Sequence, residues 1–135
     1  SKLINAIKSN NVNNIEILPS VKRDKLMVHY QDADILFLHL NDIPAFKRVL
    51  PSKIFEYTAL RKPIVAGLRG YSAQFMADNV PNSIVFEPGD VEGCVDAIRK
   101  IEKLDVKNEV REVFVKKYSR EKIMNRMAEH IFSIL

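Results

Sequence analysis

Two charged side chains one helical turn apart, Lys53 and Glu56, follow a Pro51-Ser52 pair suited to opening a helix. The first turn of a helix presents free backbone N–H groups and a partial positive charge, which together make an anion site. Lys53 adds a full positive charge to that turn, a mildly self-repelling arrangement that a diphosphate relieves. Glu56, on the same face, offers a carboxylate able to accept two hydrogen bonds from ribose hydroxyls. The same spacing describes an ordinary surface pair worth roughly a few tenths of a kcal/mol, so spacing alone leaves both readings open.

Other reactive residues fit established chemistry less well. His29, His39 and His130 are scattered, and no Cys or carboxylate spacing completes a metal site around them, so no metal is expected. His39 falls at a strand end near the Lys53 segment, where a structural hydrogen bond is the leading reading and catalysis the rival. No serine has the glycine flanks of a hydrolase nucleophile elbow.

These residues need a scaffold, and the apolar pattern describes one. Short runs rich in β-branched and aromatic residues at Ile15–Leu18, Asp34–Leu40, Pro63–Ala66 and Ser83–Phe86 predict four buried strands. Helical spacing occupies Leu3–Lys8, Asp24–Gln31, Ser52–Leu60, Ser72–Asn79 and Asp90–Leu104, with a longer helical region from Asn108 to Leu135. Asp24, Ser52, Ser72, Asp90 and Ser119 have the chemistry of N-caps. Alternating strands and helices predict an α/β fold: a Rossmann-like open parallel sheet with helices on both faces. Such sheets bind ligands beyond the carboxyl ends of their strands, which directs attention to Asn41–Lys53 and Gly67–Ser72.

Composition is consistent with that scaffold. The 135 residues, 47% of them hydrophobic and 28% charged, suit a single domain over 1-135 and exclude a disordered chain. The lone Cys94 lies on the apolar pattern Val91, Cys94, Val95, Ile98 and is expected to be buried and inert. The longest apolar run, Ile35–Leu40, is far too short to span a bilayer, and the start shows no export pattern, so a cytoplasmic setting is expected. Between Arg99 and Arg126 about ten basic residues face about five acidic ones. A solvated helical face accounts for this excess, and no aromatic-interleaved basic motif points to nucleic acid.

The stretch Pro51-Ser52-Lys53-Ile54-Phe55-Glu56-Tyr57, continued by Lys62-Pro63-Ile64-Val65-Ala66, resembles the donor-binding signature of GT-B glycosyltransferases of bacterial polysaccharide and lipopolysaccharide assembly. The likeness extends to Ile15–Val21 with Lys25-Leu26, to Asp32–Leu36 and to Ser83–Asp90, covering nearly the whole chain. It implies that the chain is a partial GT-B C-terminal domain, incomplete at its N-terminal side. Its substrate would be a nucleoside-diphosphate sugar, with no cofactor. By the same resemblance Glu56 holds the ribose, the base lies near Leu18–Val21, and Ser52, Lys53 and nearby loop amides meet the diphosphate. The loop holding Gly67 and Gly70 is not a dinucleotide fingerprint and reads as a donor-side loop touching sugar or phosphate.

The sequence departs from the family at one informative position. Many retaining members carry a Glu eight residues before the ribose-binding one, and here that residue is Arg48. Arg48 and Lys47 either stabilise charge developing on the departing diphosphate or are solvated loop residues. The expected function is therefore sugar transfer of the hexosyltransferase type, with Lys53 and Arg48 as the catalytic candidates. The acceptor, a glycan or lipid-linked sugar, would be bound by a missing N-terminal domain, leaving the isolated piece inactive. Peripheral association with the inner face of the plasma membrane and self-association through an unpaired strand edge are further expectations. The rivals are a flavodoxin-like or receiver-like binding module and a nucleotide-sugar epimerase piece.

Overall fold

The structure is a computed structural model, describing residues 2–104 and 109–134. Three short strands, β1 (Leu36–His39), β2 (Ile64–Gly67) and β3 (Ser83–Phe86), form a parallel sheet in the order β1-β2-β3. Their register pairs Phe37 with Val65 and Val65 with Ile84. Seven α-helices are described: α1 (Lys2–Ser9), α2 (Arg23–Asp32), α3 (Ser52–Ala59), α4 (Tyr71–Asn79), α5 (Val91–Ile101), α6 (Glu109–Lys117) and α7 (Arg120–Phe132). A 3-10 turn covers Pro44–Arg48 between β1 and α3.

Strand periodicity divides the core in two. Leu36 and Leu38 of β1, Ile64 and Ala66 of β2, and the adjoining Leu68 pack with Ile54 and Tyr57 of α3, Phe75 and Met76 of α4, and Phe114 of α6. Across the sheet, Val65 and Phe86 pack with Ala97 and Ile101 of α5. Eleven buried residues form the first cluster and four the second, so the α5 face is the thinner layer. Phe37, which points to that side, is 49% exposed. This is the expected Rossmann-like α/β architecture, an open parallel sheet with helices on both faces.

Several local expectations are corrected. Ile15–Leu18 forms no strand: the sheet starts at β1, and Ile15, Ile17 and Leu18 remain 51%, 49% and 45% exposed. An apolar run becomes a strand only where a neighbour completes its hydrogen-bond ladder, and the described sheet places none beside it. The helical region after residue 108 breaks at Tyr118-Ser119, where the Ser119 hydroxyl accepts the Lys122 N–H at 3.4 Å and starts α7. Asp90 caps α5 by accepting the Gly93 N–H at 2.9 Å. Asp24, Ser52 and Ser72 instead fall inside their helices, where the cap positions are Lys22, Pro51 and Gly70 and no side-chain cap bond forms. Cys94 is half-buried rather than buried, at the margin of the α5 cluster.

One buried cation secures the lower part of the larger core. Arg111 of α6 is fully buried, and its Nε and Nη2 donate to the Pro81 and Asn82 carbonyls, each at 3.0 Å. Its Nη1 is buried without a hydrogen-bond partner among the described residues. Desolvation lowers its pKa to about 10, so the side chain is still charged at neutral pH.

Candidate functional site

Helix α3 is oriented by its own apolar pattern. Ile54, Tyr57 and Thr58 are buried, with the Thr58 hydroxyl donating to the Ile54 carbonyl at 2.6 Å. Turning that face to the core leaves Ser52 and Lys53 exposed and Glu56 partly covered on the outer side. No side chain caps the start of α3, where Pro51 holds the N-cap position with φ −65° and ψ 134°. The Ile54 N–H donates to the Pro51 carbonyl at 3.1 Å, and no side-chain cap claims the turn, which leaves room for an anion at the Ser52 and Lys53 amides.

Lys53 and Glu56 stand together, with Nζ 3.9 Å from Oε2. Helix α2 supplies a partner to each. The Lys53 ammonium donates to the Tyr30 hydroxyl at 2.8 Å and lies 5.4 Å and 5.5 Å from the ring centroids of Tyr30 and Tyr57. Arg23 Nη2 lies 3.0 Å from Glu56 Oε1. That contact is an ion pair without hydrogen-bond alignment: Oε1 is buried and, among the described residues, has no hydrogen-bonding donor. Tyr30 and Tyr57 meet edge to face at 5.2 Å. Burial raises the Tyr57 pKa well above 10, and the neighbouring Tyr30 hydroxyl and Glu56 carboxylate add to the shift. Tyr57 is therefore a neutral floor beneath the two charges.

The loops beyond the strand ends hold a second charged cluster, which sequence reasoning missed. Arg69, after β2, pairs with Asp42, after β1, at 2.8 Å and with Glu87, after β3, at 2.6 Å. The Glu87 hydrogen bond, then Asp42, raises the Arg69 pKa. Each residue lies within three positions of a strand end, and that shared position was the available signal. The space beside Arg69, lined in part by Asp42, Ile43, Lys47 and Pro88, is about 10 Å³, at the lower limit for one water. The space beside Arg69 is thus nearly filled in this arrangement.

The remaining candidates are dispersed. Val21 is partly exposed in the irregular segment before α2, and Arg48 is exposed at the end of the 3-10 turn. Gly67 and Gly70 each have a packing reason to be glycine. A Cβ on Gly67 would come within 2.4 Å of the His39 ring and 2.8 Å of Phe86. Gly70 has φ 73°, and a Cβ there would lie 2.5 Å from the Lys47 carbonyl oxygen. His39 accepts a long hydrogen bond from the Gly89 N–H at 3.4 Å. Among the described residues no group of three or more His, Cys, Asp or Glu could hold a metal ion, and no helix is long and apolar enough to cross a membrane. A cavity of about 360 Å³ between α4 and α6 opens at the other end of the sheet, away from Lys53 and Glu56; Asn79, Phe114, Lys117 and Tyr118 are among its lining residues.

The chain is thus an open parallel α/β sheet that carries a cation–carboxylate pair at the start of α3. Residues 1–122 match the family described as glycosyl transferases group 1, and the chain belongs to that family. No curated protein and no solved structure matches it.

Proposed function

We propose that this chain binds the nucleoside-diphosphate sugar of a hexosyltransferase-type reaction whose acceptor is a polysaccharide or lipid-linked glycan. The observation that carries the reading is the 3.9 Å juxtaposition of Lys53 and Glu56 at the uncapped start of α3. Glu56 accepts hydrogen bonds from the ribose hydroxyls. Lys53, Ser52 and the first-turn N–H groups receive the diphosphate. As the glycosidic bond to the diphosphate breaks, negative charge grows on the leaving group, and Lys53 and the helix start stabilise it. Arg48 adds charge to the same leaving group if its loop closes over the donor. Val21 borders the base, and the Gly67–Gly70 loop borders the sugar. Family membership favours this reading over a receiver-like module or an epimerase.

Calorimetric titration of UDP, GDP and ADP into the wild type and Glu56→Ala tests it. We expect one diphosphate to bind and the substitution to weaken it by about 1–3 kcal/mol, the loss typical of a charged hydrogen-bond partner. Equal affinity for both proteins would remove Glu56 from the site.

A further inference from the structure

The Glu56 carboxylate already has a neighbour on each oxygen. Oε2 faces the Lys53 ammonium at 3.9 Å, and Oε1 faces the Arg23 guanidinium at 3.0 Å. The two members of the second pair differ sharply in setting: the Arg23 side chain is 79% exposed, the Glu56 side chain 20%. Oε1 itself is sealed from solvent yet receives no aligned hydrogen bond. Arg23 therefore offsets the charge of this oxygen without giving it an aligned hydrogen bond, so its hydrogen-bonding capacity is not fully used. A ribose hydroxyl arriving at Oε1 would supply the missing donor.

Arg23 is also easy to move. It is the first residue of α2, a helix with no buried residue and no side-chain cap, and its own side chain lies in solvent-exposed surroundings that make it easy to displace. Resting on the proposed reading of Glu56 as the ribose acceptor, we propose that Arg23 is a displaceable cover on the carboxylate, which the ribose must push aside. Arg23 thereby sets how strongly the site selects a nucleotide with ribose hydroxyls. It is a specificity-determining residue and takes no part in bond breaking. Lys53 lies on the other oxygen and keeps its Tyr30 hydrogen bond through the exchange.

The test titrates the full chain with UDP, GDP and ADP, then with the 2′,3′-dideoxy form of whichever binds tightest. Arg23→Gln is expected to tighten the ribonucleotide about two- to fivefold, the scale of losing one weak ion pair. It should leave the dideoxy analogue unchanged and have no effect in a Glu56→Gln background. Circular dichroism confirms that each variant is folded. Unchanged or weaker ribonucleotide binding, or an equal gain with the dideoxy analogue, overturns the cover. If ribonucleotide binding depends on Glu56 but ignores Arg23, this proposal alone falls. If no diphosphate binds the wild type, or Glu56→Gln leaves affinity intact, the donor-site reading falls and takes the cover with it.

Discussion

Helices α2 and α3 both reach the charged cluster, yet they are anchored differently. Helix α3 buries Ile54, Tyr57 and Thr58 in the larger core, and its outward charges are placed by that packing. Helix α2 buries no residue, and Tyr30 is its partly buried contact with the same core. The contrast extends upstream, where α1 likewise has no buried residue and Ile15–Leu18 is exposed. Fixed groups suit a leaving diphosphate, because preorganised charge costs no rearrangement when the bond breaks. Loosely held groups suit exchange with a ligand. The proposed site would thus join a packed part, Lys53 and Glu56 with Tyr30 against the core, to the exposed Arg23.

Substitutions can break or sharpen this comparison. Ile54→Ala empties a fully buried position under Lys53 and Glu56 and should cost about 2–5 kcal/mol, read from the urea midpoint at constant slope. A loss below about 1 kcal/mol would mean that α3 is no firmer than α2. Arg111→Met removes the donors to the Pro81 and Asn82 carbonyls and should cost about 2–4 kcal/mol by the same measurement. Because methionine also relieves the burial of a charge, a neutral result would show that desolvation cancels those two bonds. Ile17→Ala, in the exposed segment before α2, should change stability by less than about 0.5 kcal/mol. A larger loss would show that this segment packs more firmly than its exposure indicates.

Strands β1, β2 and β3 were readable because each is an apolar run in a sheet whose neighbours are present, so local pattern and pairing agree. Ile15–Leu18 carries the same local pattern without a pairing partner, and pattern alone cannot supply a ladder. Lys53 and Glu56 were legible because helical spacing places residues three apart on one face. Arg23 and Tyr30 were not: they lie on a different helix, and no periodicity relates positions 23 and 30 to 53 and 56. The Asp42–Arg69–Glu87 cluster was hidden for the same reason, its members belonging to three separate loops.

By itself the sequence determined the alternation of strand and helix from β1 to α5, and that Lys53 and Glu56 share one face at the start of α3. Those follow from chemistry that is local along the chain, where 3.6-residue and two-residue periods decide which side chains share a face. Only the tertiary structure decided what those charges meet. Contacts across 23 residues, from Lys53 to Tyr30, depend on how helices pack rather than on any spacing within one of them. The same packing leaves Glu56 Oε1 buried and short of a hydrogen-bond donor, a condition no local pattern encodes.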